Sequence, residues 1–374
     1  MYDYDVIIIG GGLAGLTAAL HLRKYHYNIA VFESLEYPHH KVCGEYVSME
    51  IIPYLESLNV SLPKNIYINE MLMSTEKGTS ISAQLPLGGL GISRYTLDYT
   101  LYKKAILQGV TILQKHISSI KFGDPTFTVA DTRGGHYTSK FVIGAYGKRE
   151  ALDKNLNRDF IQGKSPWLGV KAHYKLDSFP ENLVALHNFR GGYGGLSKTE
   201  SGAVNFCYLV SYDSFKSEKN MESFQQNILA KNPYLNKFIM ESEMLFSKPL
   251  TIAQISFGKK STIENHILMC GDTAGLIHPF CGNGMAMAVH SAKMAAELIH
   301  LYFTKSDYDR HQLEKEYNRQ WHKIFGKRIW VGRQLQRVLL NETISPRAMQ
   351  LINYSPYLVS KLIKATHGKT IDTV

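Results

Sequence analysis

The chain has 374 residues, enough for one large or two ordinary domains with a well-buried core. It is 44% hydrophobic and 20% charged, the composition of a globular protein, and we find no low-complexity tract or internal repeat. Its 42 Lys+Arg against 32 Asp+Glu give a net charge of +10, but these cations are scattered and match no nucleic-acid motif. That excludes nucleic acid as the expected partner and leaves a phosphate-rich cofactor or an anionic lipid surface as the use of the charge.

The first apolar run, Val6 to Ile9, is short, follows two Asp and ends in glycines, so it reads as a buried strand rather than a signal peptide. No stretch approaches the roughly 18 uncharged apolar residues of a membrane span. Cys43, Cys207, Cys270 and Cys281 have no metal-ligand spacing. The expectation is therefore no metal, reduced thiols and a cytoplasmic location.

Asp5–Ile9 predicts a strand, 13–26 a helix and Asn28–Phe32 a second strand. Between the first two lies Gly10-Gly11-Gly12-Leu13-Ala14-Gly15. Gly10 allows the tight turn, Gly12 lets backbone approach a pyrophosphate, and Gly15 lets helix and strand pack closely. The helix N-terminus at Leu13 and Ala14 offers free N–H groups to phosphate. Glu33, at the end of the second strand, is placed to accept from a ribose diol and disfavours an NADP 2′-phosphate there. Strand, glycines, helix, strand and acid in this order predict a dinucleotide site; the choice between NAD and FAD stays open at this point.

A second segment resolves it. Ile267 to Cys270 predicts a buried strand running into Gly271-Asp272, then the loop Thr273 to Asn283, then a long small-residue helix from Gly284-Met285 to about Tyr302. This resembles the G-D-A-A-x-x-x-x-P-x-x-G-x-G motif of the flavoprotein monooxygenase and geranylgeranyl-reductase superfamily. The resemblance implies FAD, with Asp272 on the ribityl chain and Pro279 beside the isoalloxazine. It places Gly282, Asn283, Gly284 and Met285 at the N1–C2=O side, where a helix dipole stabilises the charge of reduced flavin.

Further segments resemble the same superfamily. Pro38 to Glu45, containing Lys41, Cys43 and Gly44, is similar to the P-x-x-K-x-C-G-[GE] stretch that runs past the ring in its reductase branch. Ser93 to Leu101 is similar to its R-x-x-[LF]-D-x-x-L helix, with Arg94 facing the cofactor. The resemblance spans about residues 1–305. One departure concerns Gly144-Ala145-Tyr146-Gly147, where aromatic hydroxylases carry G-A-D-G. Tyr146 replaces an Asp linked there to flavin and nicotinamide binding, so the electron donor is expected to be either NAD(P)H or a separate protein.

The expected fold is α/β (α+β overall): a Rossmann-like FAD-binding domain at 1–65, 94–165 and 250–310, with an inserted sheet domain at 66–93 and 166–249. Alternating runs such as Gly169–Leu176 and Val204–Val210 predict that the inserted sheet is mostly antiparallel and walls a substrate pocket. Residues 311–374 predict a helical tail, with helices over 309–325, 329–340 and 357–365, basic on the polar side and suited to covering the core or to peripheral membrane contact.

Flavin supplies the redox chemistry, so no nucleophile or metal is required. Cys43 and His278 are the candidate catalytic groups, as proton donors. Trp167, His173, Tyr193 and Tyr208 are the candidate pocket residues. The resemblance implies, first, a monooxygenase hydroxylating an apolar aromatic or polyketide-like small molecule through a flavin C4a-hydroperoxide held in a dry pocket. Its reductase branch implies the alternative, saturation of isoprenoid double bonds. A non-catalytic flavin-binding or electron-carrying protein is the third reading. The W-x-W-x-I-P segment of tryptophan-type halogenases does not occur in the sequence.

Overall fold

The computed structural model describes residues 2–63, 66–148, 150–218, 220–339, 341, 344–345, 347, 356–366 and 368–373. Two sheets organise them. The first is seeded by Tyr4–Ile9, whose Val6 to Ile9 are buried on both faces, the pattern of a central parallel strand. It lies between Ile29–Glu33 and His136–Gly144, both parallel to it. Thr111–Gln114 and Ile267–Met269 extend the parallel sheet on either side, and the short Ile263–Glu264 edge strand is antiparallel. An antiparallel meander of Ile117–Gly123 and Thr126–Asp131 joins at His136–Gly144.

Two helices of small and apolar residues, Leu13–Arg23 and Gly284–Thr304, pack against each other and this sheet. The first ends at Arg23 rather than near His26, because His26 takes the left-handed conformation (φ 62°) and closes the turn into the next strand.

The second sheet has nine strands. Trp167–Lys175, Val204–Ser211, Gly192–Lys198 and Leu183–Phe189 are antiparallel neighbours, and Leu183–Phe189 pairs in parallel with Ile66–Ser74. Ser80–Gly91 completes this part. The sheet is therefore mostly antiparallel. It also takes in two short strands, Tyr46–Ser48 and Leu250–Ala253, that the boundaries drawn from sequence assign to the cofactor domain. Their backbones carry a hydrogen-bonding edge that pattern alone does not reveal in runs so short.

Its strands alternate in a consistent way. Leu168, Val170, Ala172, Phe206, Tyr208 and Val210 face a separate core closed by helices Met221–Asn227 and Pro233–Glu241. Gly169, Lys171, His173, Asn205, Cys207 and Leu209 therefore face the opposite way, and the contacts of Gly169, Lys171 and Asn205 with residues 41–45 show that this is toward the first sheet.

The tail differs from its sequence reading in one respect. Arg310–Leu339 is one continuous helix where two were expected. Gly326 sits inside it on an open face where a Cβ would meet nothing, so its propensity cost of about 1 kcal/mol is outweighed by the buried row Leu313, Tyr317, Trp321, Phe325 and Ile329. Leu340, the expected end of the second helix, lies outside the described residues. Pro356–Thr366 is helical, as the sequence predicts for 357–365.

Candidate active site

The two glycine motifs meet. Gly10 has φ +102°, and a Cβ there would lie 2.4 Å from the Ala145 carbonyl oxygen; one on Gly15 would lie 1.9 Å from the Gly10 oxygen. These two positions are steric requirements of strand–helix packing. Gly271 (φ +60°) is wedged between Ala14 and Ala288, its added Cβ 3.2 and 3.3 Å from theirs, which brings the second motif against the first helix.

Neither helix N-terminus is closed by a side chain: Gly12 and Asn283 are the N-caps, and neither makes a side-chain capping bond. A Cβ on Gly12 would meet only cations, Arg94 Nη2 at 3.4 Å and Lys41 Nζ at 3.5 Å. The open N-terminus of Leu13–Arg23 and two converging cations around the Gly12 backbone fit a diphosphate, and the open N-terminus of Gly284–Thr304 leaves donors free for the flavin end.

Those cations are held by Asp98. Arg94 donates to both of its carboxylate oxygens at 2.7 Å, and Lys41 lies 3.1 Å from one of them. Burial opposes ionisation of Asp98, but Arg94 and Lys41 outweigh it and hold the carboxyl below its usual range. Burial likewise opposes the charge of Arg94, and Asp98 overcomes it. Glu33 accepts from the Gly11 and Leu35 N–H groups at 3.0 and 3.1 Å, so it props the glycine turn; a carboxylate has lone pairs left for a ribose. Asp272 is half-buried, and both Arg94 and the buried Lys260 feel its charge.

The segment carrying Cys43 has no regular structure, yet it is fixed from all sides. Its four consecutive carbonyls each accept a side-chain hydrogen bond. Lys171 Nζ donates to Lys41 O at 3.1 Å and Lys148 Nζ to Val42 O at 2.9 Å. Asn205 Nδ2 donates to Cys43 O at 3.2 Å and Ser197 Oγ to Gly44 O at 3.3 Å. Three of the four donors come from the second sheet, so that sheet positions the thiol. Cys43 packs at the margin of the first core.

Glu45 follows immediately, in the left-handed conformation (φ 55°) and fully buried. One oxygen takes Lys171 Nζ and the Arg94 N–H, the other His173 Nε2 at 2.7 Å. With these partners its carboxyl stays below the ordinary value although burial pushes it up. His173, expected in the pocket, is thus committed to a buried ion cluster. His40, Glu45 and His173 also bring donor atoms within 4.8 Å of one another, but the Lys171 ammonium already occupies the carboxylate.

A second constellation lies around the Pro279 loop. Tyr193, Leu209, Ile255 and Leu276 form an apolar cluster joined by Trp167, Phe257 and Phe280. Phe280 stacks on Tyr193 at 3.8 Å, and His278 contacts both rings. The long tail helix covers this loop: Trp321 lies where a Cβ on Gly275 would be, and Gly332 lets the helix approach Cys281. Tyr193, Trp167 and His278 come together in one packed aromatic cluster.

Tyr208 does not join them. It belongs to the opposite face, packed with Phe206 and Phe224, and its hydroxyl donates to Met221 Sδ at 2.9 Å. The alternation that brings Leu209 to the cluster sends Tyr208 away from it.

Two further positions have side chains engaged within the protein. The Asn283 amide donates to Glu50 Oε1 at 2.6 Å and accepts from Arg328 at 3.2 Å, so only its backbone remains for the cofactor. Tyr146 donates to Asp153 at 3.1 Å, and Arg158 holds the same carboxylate at 2.9 Å, turning the phenol inward. Met285 and Cys281 are buried in the first core. Lys148, Lys171, Ser197 and Asn205, which fix the Cys43 segment, escaped the sequence reading. A lysine at an inward-facing position of the strand Trp167–Lys175 is a sequence signal for Lys171 alone.

Comparison with known proteins agrees with this geometry. Residues 4–162 match the pyridine nucleotide-disulphide oxidoreductase family. The chain is 24% identical to an uncharacterized protein of Methanosarcina barkeri, over 86% of this chain and 80% of that one. It is also 24% identical to the digeranylgeranylglycerophospholipid reductase of Methanocaldococcus jannaschii, covering 85% and 82% of the two chains. Among solved structures, the halogenase PltM in complex with phloroglucinol and FAD superposes with a TM-score of 0.73 at 15% identity, covering 97% of this chain and 86% of that one. With its paired glycine motifs, open helix termini and two-sheet architecture, the chain has the fold of the FAD-dependent flavoproteins and is similar to flavin-dependent halogenases and geranylgeranyl reductases.

Proposed function

We propose that the protein is a flavin-dependent reductase that saturates carbon–carbon double bonds of an apolar, isoprenoid-like substrate. The observation carrying this reading is the clamped Lys41–Gly44 segment: four carbonyls held by four side chains fix the Cys43 thiol where the two sheets meet. FAD, when bound and reduced, supplies a hydride to one alkene carbon. Cys43 Sγ gives its proton to the other carbon, so the alkene gains two hydrogens and the thiolate is reprotonated from solvent. The second-sheet residues Asn205 and Lys171 hold the segment that carries the thiol, and the apolar cluster around Phe280 would help exclude water from the reacting carbons.

The test is anaerobic incubation of chemically reduced, FAD-loaded protein with a polyprenyl alcohol, followed by mass spectrometry. Gain of two hydrogens per double bond supports the reading, and Cys43→Ala should slow it by roughly 10²–10⁴-fold with FAD still bound. No saturation by the reduced wild-type protein rejects it.

A hydroxylase is the second reading, favoured by the enclosed aromatic cluster around Phe280. Oxygen-dependent hydroxylation of a phenolic substrate, with alkenes left intact, would select it. Under the reductase reading the substrate resides in a bilayer. The tail helix suits an anionic lipid surface, because from Tyr317 to Leu339 it carries Arg319, Lys323, Lys327, Arg328, Arg333 and Arg337 without one Asp or Glu.

A further inference from the structure

Asparagine is among the residues that best cap a helix, because its side-chain oxygen accepts the N–H of the second or third helical residue. Asn283 occupies the N-cap position of Gly284–Thr304 and makes no such bond. Its backbone, at φ −117° and ψ 4°, also departs from the extended conformation that capping residues adopt. The helix therefore lacks the cap that its own sequence supplies.

Two residues hold the side chain away. Arg328 Nη1 donates to Asn283 Oδ1 at 3.2 Å, which engages the oxygen that would cap. Glu50 Oε1 accepts from Asn283 Nδ2 at 2.6 Å and fixes the orientation of the amide. Both holders are themselves held. Glu50 is 1% exposed, its Oε2 lies 3.9 Å from Arg328 Nη1, and its carbonyl accepts the Ile371 N–H at 2.8 Å. Gly368 closes over the pair so tightly that a Cβ there would lie 1.9 Å from Glu50 Oε2 and 2.5 Å from Arg328 Nη2. A Cβ on Gly284 would meet only Ile277, at 3.8 Å, so packing does not wedge the loop itself. The restraint on Asn283 comes from the Glu50 turn, the tail helix and residues 368–371.

We propose that Arg328, with Glu50 behind it, is a positioning residue that keeps the Asn283 oxygen off its own helix and so reserves that N-terminus for FAD. A donor spent on a cap cannot serve the cofactor. Released, Asn283 would compete with FAD for the same N–H groups. This role concerns cofactor loading and holds whichever reaction the flavin performs.

The experiment is fluorimetric titration of the apoprotein with FAD, with the melting temperature read on the same samples. Arg328→Met frees the capping oxygen and should weaken FAD binding by about 2- to 30-fold, the span by which an N-cap stabilises a helix. Adding Asn283→Ala to Arg328→Met removes the competitor and should restore most of that loss. An Arg328→Met protein that binds FAD like wild type overturns the proposal. So does a double variant that binds no more tightly than Arg328→Met, since loss of a cation or of packing is not rescued by a second truncation. Hydrogen exchange of the wild-type protein decides the matter if Arg328→Met does not fold. On FAD loading, the Met285 and Ala286 amides should gain at least about 10-fold more protection than amides in the middle of the same helix. An equal gain along the helix would show that these amides are already paired within the protein, and overturns the proposal.

Discussion

The Asn205 amide donates to the Cys43 carbonyl at 3.2 Å from a strand position with no solvent exposure, so a residue of one sheet fixes the chemistry-bearing loop of the other. Asn205→Leu keeps the volume and deletes this donor. The loss should cost about 1–3 kcal/mol of stability, since a buried carbonyl loses its partner. Turnover should fall at least 10-fold while the FAD dissociation constant changes little. Thermal melting, flavin titration and kcat measured together check this. An equal loss of FAD affinity and turnover would mean that the segment holds the cofactor rather than the thiol.

The motif glycines should separate fold from cofactor. At Gly15 an added Cβ would lie 1.9 Å from backbone, so Gly15→Ala must push the helix off the strand and should leave mostly insoluble protein. At Gly12 the same atom meets only the ends of Arg94 and Lys41, beyond 3.3 Å, and the backbone is extended there. Gly12→Ala should therefore fold with a melting temperature near that of wild type, yet purify without yellow colour. A colourless, unfolded Gly12→Ala would remove the distinction.

Much of this was legible in the sequence because it depends on local steric rules. Gly10, Gly15 and Gly271 declare themselves where strand meets helix, and the alternation of Val204–Val210 identifies a two-faced strand. Alternation does not say which face looks toward the first sheet, and in the structure it is Cys207 and Leu209, not Tyr208, that face it. The Cys43 clamp was illegible for another reason. Its donors Lys148, Lys171, Ser197 and Asn205 lie more than 100 residues downstream of the carbonyls they hold, and only the pairing of two sheets brings them there.

Stability should fall on acidification in two stages. His21 and His278 are pushed by burial to about 3, and His187 and His290 to about 4, against an ordinary value of 6.5. Their folded values are depressed, so the stability they contribute is present above pH 6.5 and declines as pH falls toward 3 to 4. Glu45 and Asp98 are also held below their ordinary values of 4.5 and 3.8, so their share is lost only as pH falls below those values. Melting temperature should be flat from neutral to pH 6.5, fall gradually to 4.5 and then fall more steeply. Glu45→Gln should cost roughly 3–5 kcal/mol at neutral pH, because Lys171 is left buried without its partner. The same variant should flatten only the steeper limb. A midpoint profile with no break near the carboxylate values would show that these ion pairs add nothing to stability.

The tail helix makes a separate prediction, about where the protein works. Trp330 is 62% exposed on Arg310–Leu339, and Lys323, Lys327 and Arg337 are exposed with it. At 100° per residue these four positions fall on one narrow stripe, opposite the buried row from Leu313 to Ile329. An indole flanked by cations suits the interface of an anionic bilayer, where each cation near the surface contributes about 1 kcal/mol and the ring anchors at the headgroups. FAD-loaded protein should co-sediment with phosphatidylserine-rich vesicles at low salt and be released at high salt. Lys327→Glu and Arg337→Glu should each weaken this at least about 5-fold, and Trp330→Ala by a similar factor with little change in salt dependence. All three residues are solvent-facing, so the variants should keep wild-type flavin content. Equal binding to uncharged phosphatidylcholine vesicles, or variants that sediment like wild type, would show that the basic face serves only to cover the core.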